Sequence, residues 1–245
     1  MTRSRRTLGI LAAAAVVVLV IVGGGVWWFL IRDDAPEAAS IETAGETLDE
    51  AGDGEAAAGD GSLEGPWAVD TSVGSFEDFS GTWAGYRVNE ELASIGTNTA
   101  VGRTPGVTGT MTVAGDEVAA VDVEVDLTTL ESDSGTRDGA LRSRGLESDQ
   151  FPTATFSLTE PVELPDGLSG DGTASATATG ELTIHGVTKE VAVEVDVDLA
   201  GSTAAVVGQA PVLLSDFGIE APTGFSVLSI QDEGVFEFQI FFTRQ

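Results

Sequence analysis

GELTIHGVTKEVAVEVDVDL, Gly180 to Leu199, decides how this chain folds. From Val191 onward every odd position is apolar (Val191, Val193, Val195, Val197, Leu199), while the even ones are Ala192, Glu194, Asp196 and Asp198. That period of two marks a strand with one dry and one wet face. Upstream, Ala174, Ala176, Ala178, Gly180, Leu182 and Ile184 alternate with Thr173, Ser175, Thr177, Thr179, Glu181 and Thr183. The two runs form a hairpin if even residues of the first face the same side as odd residues of the second. A loop of two or four residues around His185 and Gly186 satisfies that parity. The inner face then sets Ala174, Ala176, Ala178 and Gly180 against valines, which leaves room beside the wall for other side chains or for a ligand.

The same alternation recurs outward from this hairpin. Gly106 to Gly115 places Val107, Met111 and Val113 on one face, and Val121, Val123, Val125 and Leu127 alternate with Asp122, Glu124, Asp126 and Thr128. Trp67 to Phe76, Thr82 to Val88 and Ala154 to Thr159 read as further strands, the last with Phe156 and Leu158 on one side. Val235 to Thr243 carries Phe236, Phe238, Ile240 and Phe242 on a single face. One segment breaks the pattern: Ser134 to Leu146 has Ala140 and Leu141 among charges, with Asp138 and Arg142 at the spacing that pairs side chains on a helix. A short helix ending near Gly145 is predicted there. Long alternating strands without an α/β repeat give an all-β antiparallel sandwich or closed barrel, and eight strands would enclose space for side chains or one small ligand.

Composition narrows the partners. The 245 residues include 11 basic and 40 acidic ones, a single histidine and no cysteine. Absent cysteine excludes disulfides, thiolate chemistry and a lipid-attachment cysteine. Leu8 to Ile31 contains no charged residue, follows Arg3, Arg5 and Arg6, and ends in Trp27, Trp28 and Phe29. Its length spans a hydrocarbon core of about 30 Å, and the basic flank orients it with the N-terminus cytoplasmic. Residues 1–32 are therefore expected to be a cytoplasmic tip and a single-pass anchor in the cell membrane, holding an extracytoplasmic domain. The rival is a signal peptide cleaved after Ala39 with secretion of the remainder, but the apolar run exceeds the usual length of about 7 to 15 residues and Glu37 occupies the minus-three position. Residues 33–64 hold 11 acidic residues and no basic ones and are expected to be a disordered linker, reaching on the order of 30 Å as a free coil. Beyond the anchor, 7 basic residues against 40 acidic leave a net charge of −33. Nucleic acid is excluded as a partner by such a field.

The domain over residues 65–245 resembles the YceI-like family. Its WAVDTSVGSF, VTGTMTV, TRDGALRSRGLESDQFPTATFSL (Thr136 to Leu158), GELTIHGVTKEVAVEV and LLSDFGI (Leu213 to Ile219) are similar to that family's motifs and follow in the same order. The resemblance implies a lipocalin-like antiparallel β-barrel with one short helix, preceded here by the transmembrane helix and the acidic linker. It also implies an apolar interior that binds a polyisoprenoid lipid or isoprenoid quinone, in an exported protein. One departure is plain: the family commonly has a histidine two residues after the aspartate, whereas Asp70 is followed by Thr71, Ser72 and Val73.

Under that resemblance the ligand-binding wall is Val123, Val125, Phe156, Leu158, Ala176, Ala178, Val193, Val195, Phe236, Phe238 and Ile240. Ordinary core packing is the competing account of the same residues. Arg137 and Arg142 belong to a cluster holding three of the domain's seven basic residues; they would contact a ligand's polar head, or else pair with nearby carboxylates. His185 is a turn residue and family marker rather than a catalytic imidazole. No catalytic residue, no histidine-based metal site and no resident cofactor are expected, while a carboxylate-only Ca²⁺ site stays open. The function expected is non-enzymatic lipid binding for storage, transport or protection. The alternative is a cell-envelope structural or protein-interaction domain with a packed barrel and no ligand.

Overall fold

The computed structural model describes residues 35–52, 62–94, 96–165, 168, 171–224 and 226–245. The expected anchor at Leu8 to Ile31 lies outside them, and no helix among the described residues is long and apolar enough to cross a membrane. Chain order begins α1 (Ile41–Gly52), β1 (Gly65–Val69), β2 (Trp83–Leu92), β3 (Gly96–Thr104), β4 (Val107–Ala114), β5 (Glu117–Asp126), β6 (Glu131–Ser132) and α2 (Gly135–Ser143). It continues with β7 (Thr153–Leu158), β8 (Val162–Glu163), β9 (Asp171–Ile184), β10 (Val187–Ala200), β11 (Thr203–Leu213) and β12 (Val227–Arg244).

Strands β9 and β10 are the predicted hairpin, paired from Val187 opposite Ile184 to Ala200 opposite Asp171. The turn is the two-residue alternative, and both His185 (φ 54°) and Gly186 (φ 73°) take positive φ, the backbone whose twist matches the flanking strands. Parity then puts Val193 opposite Ala178, Val195 opposite Ala176 and Val197 opposite Ala174.

From this hairpin the sheet runs β1-β4-β5-β7-β9-β10-β11-β12 and closes when β12 pairs β1. The all-β antiparallel fold is thus an eight-stranded barrel with no free edge at the closure. Strand β12 makes this possible because one edge serves two partners: Val227–Gln239 pairs β2, and Phe242–Arg244 pairs β1. Bulges between Val227 and Ser229 and between Ile230 and Gly234 bend its first half away, so β2, β3 and β6 extend beyond the ring. Two apolar clusters occupy opposite ends. Trp67, Val107, Val113, Leu199, Ala204 and Phe242 form one, and Leu127, Leu130, Leu146, Ile184, Phe217 and Ile219 form the other, at the His185 turn.

Aromatic rings inside the barrel lie over glycines of the neighbouring strand. An added Cβ at Gly180 would stand 2.4 Å from Phe156 Cζ, at Gly208 2.4 Å from Phe238 Cζ, and at Gly102 2.4 Å from Tyr86 Cε1. The glycines give each ring a flat backbone to cover, which keeps three bulky groups against the wall instead of across the lumen.

Two expectations need correction. Disorder through 33–64 does not hold over α1, because Ile41, Ala44 and Leu48 recur at helical spacing and Ser40 Oγ accepts the Thr43 N–H at 3.4 Å. Ala44 and Leu48 bury against Ala205, Val207 and Phe241 on the barrel's outer face. This helix precedes the domain over residues 65–245, whose α-helix among the described residues is α2, the short helix expected. The first predicted strand stops at Val69, since Asp70 and Asp78 accept the N–H groups of Ser72 (2.8 Å) and Ser80 (3.1 Å) and turn the chain into a loop.

That loop and the segment before α1 cover the outer face of β2, β3 and β12. Gln239 Nε2 donates to the carbonyls of Ser80 (2.7 Å) and Gly81 (2.9 Å), and Arg87 Nη2 donates to Pro36 (2.7 Å). Arg103 donates to the Glu37 carbonyl and lies 3.8 Å from the Trp83 ring centre and 4.5 Å from that of Phe79. Beneath them Glu237 is fully buried and meets Arg103 at 3.0 Å and Arg87 at 3.3 Å.

Candidate functional site

The barrel encloses a cavity of about 260 Å³. Its wall is built strand by strand from inward positions: Met111 and Val113 on β4, Val121, Val123 and Val125 on β5, and Ala154, Phe156 and Leu158 on β7. Ala174, Ala176, Ala178 and Leu182 follow on β9, then Val191, Val193, Val195 and Val197 on β10, and Phe236, Phe238, Ile240 and Phe242 on β12. All eleven wall residues anticipated from the sequence, from Val123 and Val125 through Ile240, face this one space. Opposing valines and alanines create it, because an alanine withdraws the wall where a larger residue would have filled the lumen.

The wall has a seam. Strand β7 pairs β9 only from Thr155–Thr183 to Leu158–Gly180, while β8 pairs β5 at Glu117 and Val118. Among the described residues, Asp171 to Ala178 of β9 therefore has a ladder on its β10 side alone. Leu164, Pro165 and Leu168 line the cavity there, so side chains rather than backbone hydrogen bonds complete the wall.

Polar groups at the wall are few and mostly engaged. Thr104 Oγ1 contacts Thr129 Oγ1 at 2.7 Å and donates to Asp126 O at 3.0 Å. Glu237 is held by its two arginines. Tyr86 also lines the cavity, and its hydroxyl is buried with no hydrogen-bond partner among the described residues. Sequence reasoning missed Tyr86: it sits in a correctly located strand, but nothing in the strand's pattern tells whether its hydroxyl finds a partner.

The two arginines proposed as head-group contacts do not line the cavity. Arg137 bonds Glu90 at 2.7 Å and also pairs with Asp133. Burial works against its charge, but the bonds to Asp133 and Glu90 outweigh it and raise the guanidinium pKa. Arg142 is exposed on α2, and its anticipated helical partner Asp138 instead accepts from the Ser132 hydroxyl at 2.6 Å. Pairing within the fold, the competing account, describes Arg137.

His185 closes the barrel end. Its Nδ1 lies 3.2 Å from the Phe217 carbonyl and its Nε2 2.7 Å from Glu147 Oε2, with the Phe151 ring edge-on at 4.6 Å between centres. Through these contacts the ring ties three chain segments together. Ser72, standing where the family commonly has histidine, donates its hydroxyl to Asp70 at 2.6 Å. Thr243 donates to the other Asp70 oxygen at 2.8 Å. A second hollow of about 330 Å³ lies outside the barrel between Ala35, Pro36, Phe79, Arg103 and Asp133. It mixes charged and apolar walls, unlike the lumen.

An antiparallel barrel of eight strands closed around an apolar cavity defines a lipocalin-like architecture. The chain belongs to the YceI-like family: the family's domain matches residues 67–242. Among curated relatives, Protein YceI of Escherichia coli is 30% identical over 146 residues, covering 56% of this chain and 72% of that protein. A UPF0312 protein of Vibrio campbellii is 35% identical over 106 residues, covering 40% of this chain and 52%, about half, of its own length. Two solved structures share the fold. One is described as a polyisoprenoid binding domain from Saccharophagus degradans (TM-score 0.53, 17% identity, 73% of this chain and 98% of that one). The other is Burkholderia cenocepacia BcnA (0.52, 19%, 71% and 98%).

Proposed function

We propose that this protein binds the apolar chain of a polyisoprenoid lipid or isoprenoid quinone inside its barrel, without catalysing a reaction, to store, carry or protect it. The observation that carries this is the lumen itself: a continuous apolar space of about 260 Å³, where a packed core would leave few voids larger than a water molecule. An engineered cavity of about 150 Å³ holds a benzene, so this one accommodates about two isoprene units. A longer chain requires the walls to spread or the tail to leave through the seam at Leu164 and Leu168. The polyisoprenoid binding described for the structural neighbour supports the choice of ligand. The uncharged stretch Leu8 to Ile31 supports a single-pass anchor with the barrel outside the cytoplasm.

Lipid extraction and mass spectrometry of full-length protein purified from native membranes tests the binding, with a co-purifying isoprenoid expected. Repeated preparations free of lipid would favour the envelope structural or interaction alternative. Protease added to intact cells tests the topology, since only an outward-facing barrel is cut.

A further inference from the structure

Tyr86 stands out among the polar groups at the lumen. Its hydroxyl is shielded from water and unpartnered among the described residues, a costly state unless something supplies an acceptor. Burial pushes the phenol's pKa well above its ordinary value, against the pull of Arg137, so it stays protonated and able to donate. Each neighbouring carboxylate accepts from another group through one of its oxygens, and none of them accepts from the phenol. Glu90 receives Arg137 at 2.7 Å and Asn98 at 2.8 Å, Asp138 receives Ser132, and Asp133 receives Arg137. Gly102 beneath the ring has no side chain, so the ring lies flat on the β3 backbone, and Tyr86 itself borders the lumen.

We propose that Tyr86 is a specificity residue of the barrel, donating a hydrogen bond to an uncharged carbonyl on the head of an isoprenoid ligand whose tail lies along Phe236 and Phe238. This rests on the binding function proposed above. A diphosphate head is disfavoured there: three carboxylates, Glu90, Asp133 and Asp138, surround one guanidinium, Arg137, and act on the same phenol. A quinone offers the acceptor without the charge.

The test uses delipidated full-length protein and its Tyr86→Phe variant, titrated calorimetrically in a non-ionic detergent with menaquinone-4, squalene and geranylgeranyl diphosphate. Menaquinone-4 is expected to bind the variant roughly three- to tenfold more weakly, squalene equally well, and the diphosphate more weakly than the quinone in the parent. Equal quinone affinity in both proteins, or tighter binding of the diphosphate, overturns the assignment. If the parent binds neither quinone nor squalene, the lipid-binding function fails and the role of Tyr86 with it. A second readout is independent of ligand: without lipid, the variant is expected to melt at or above the parent's temperature, because an unsatisfied hydroxyl has been removed. A lower melting temperature means the hydroxyl has a protein partner, and overturns the assignment as well.

Discussion

Filling the lumen should trade ligand for stability, and Ala176→Leu does so with one substitution. Ala176 lies opposite Val195 and borders the cavity, so three added carbons enter existing space instead of displacing neighbours. At about 0.8 kcal/mol per buried methylene the transfer contributes about 2.4 kcal/mol. Ordering the leucine costs about 0.5–1 kcal/mol. The net gain of about 1.5–2 kcal/mol corresponds to a rise of about 3–7 °C in the melting temperature of lipid-free protein of this size. In the same variant the isoprenoid recovered per protein should fall, since the leucine occupies the chain's path. Ala192→Leu is the control: Ala192 is exposed on the opposite face of β10, and its change should stay within about 0.5 kcal/mol and spare the lipid. A lower melting temperature for Ala176→Leu would show that the lumen is not free space. Unchanged lipid content would place the ligand elsewhere.

Gly208→Ala should destabilise by about 1–3 kcal/mol through overpacking against Phe238, as measured by urea unfolding, and Phe238→Leu should recover part of the loss; additive effects would refute the contact. Glu237→Ala should cost about 3–5 kcal/mol, because it leaves the nearly buried Arg103 without a counter-ion; a midpoint shift worth less than about 1 kcal/mol would mean the loop and the Pro36 segment open to hydrate the arginine. Burial, with Asp49 of α1 nearby, raises the pKa of Asp198. A carboxyl with a raised folded-state pKa binds its proton more tightly when folded, so its unfavourable contribution is present above that pKa and relieved as pH falls through it. Asp198→Asn should therefore stabilise α1 docking at neutral pH, by at most about 1 kcal/mol for so exposed a pair, and the gain should vanish on acidification. Hydrogen exchange of the α1 amides reads this, and a gain independent of pH would contradict the charge mechanism.

How much was legible depended on whether each strand kept one wet face. Strands β9 and β10 did, and their alternation gave the facing of the hairpin and its inward alanines, leaving the turn at two or four residues. Strands β3 and β11 did not: Ala100 through Thr104 are buried consecutively, as are Ala204 and Ala205, because Tyr86 covers one side of β3 and the loop the other, while β11 has the lumen on one side and α1 on the other. Two-sided burial erases the period of two. The cover itself was missed for a related reason, since three apolar residues of α1 are diluted by the acids around them. Parity shows which positions face inward, and that they border a lumen and not a packed core was what the family resemblance implied. By contrast, Arg137 looked available by charge and is engaged with Glu90 and Asp133, whereas Tyr86 looked ordinary and has no hydrogen-bond partner among the described residues; both are facts about neighbours distant in sequence.

Docking of the segment before α1 also fixes a length. Only Arg32, Asp33 and Asp34 separate the apolar stretch ending at Ile31 from Ala35, and the next residue, Pro36, is fastened to Arg87. Five residue steps from Ile31 to Pro36 reach at most about 18 Å, well short of the standoff of about 30 Å that a free coil over 33–64 provides. For a barrel anchored by that stretch, the leash is short enough to keep it riding at the level of the lipid head groups.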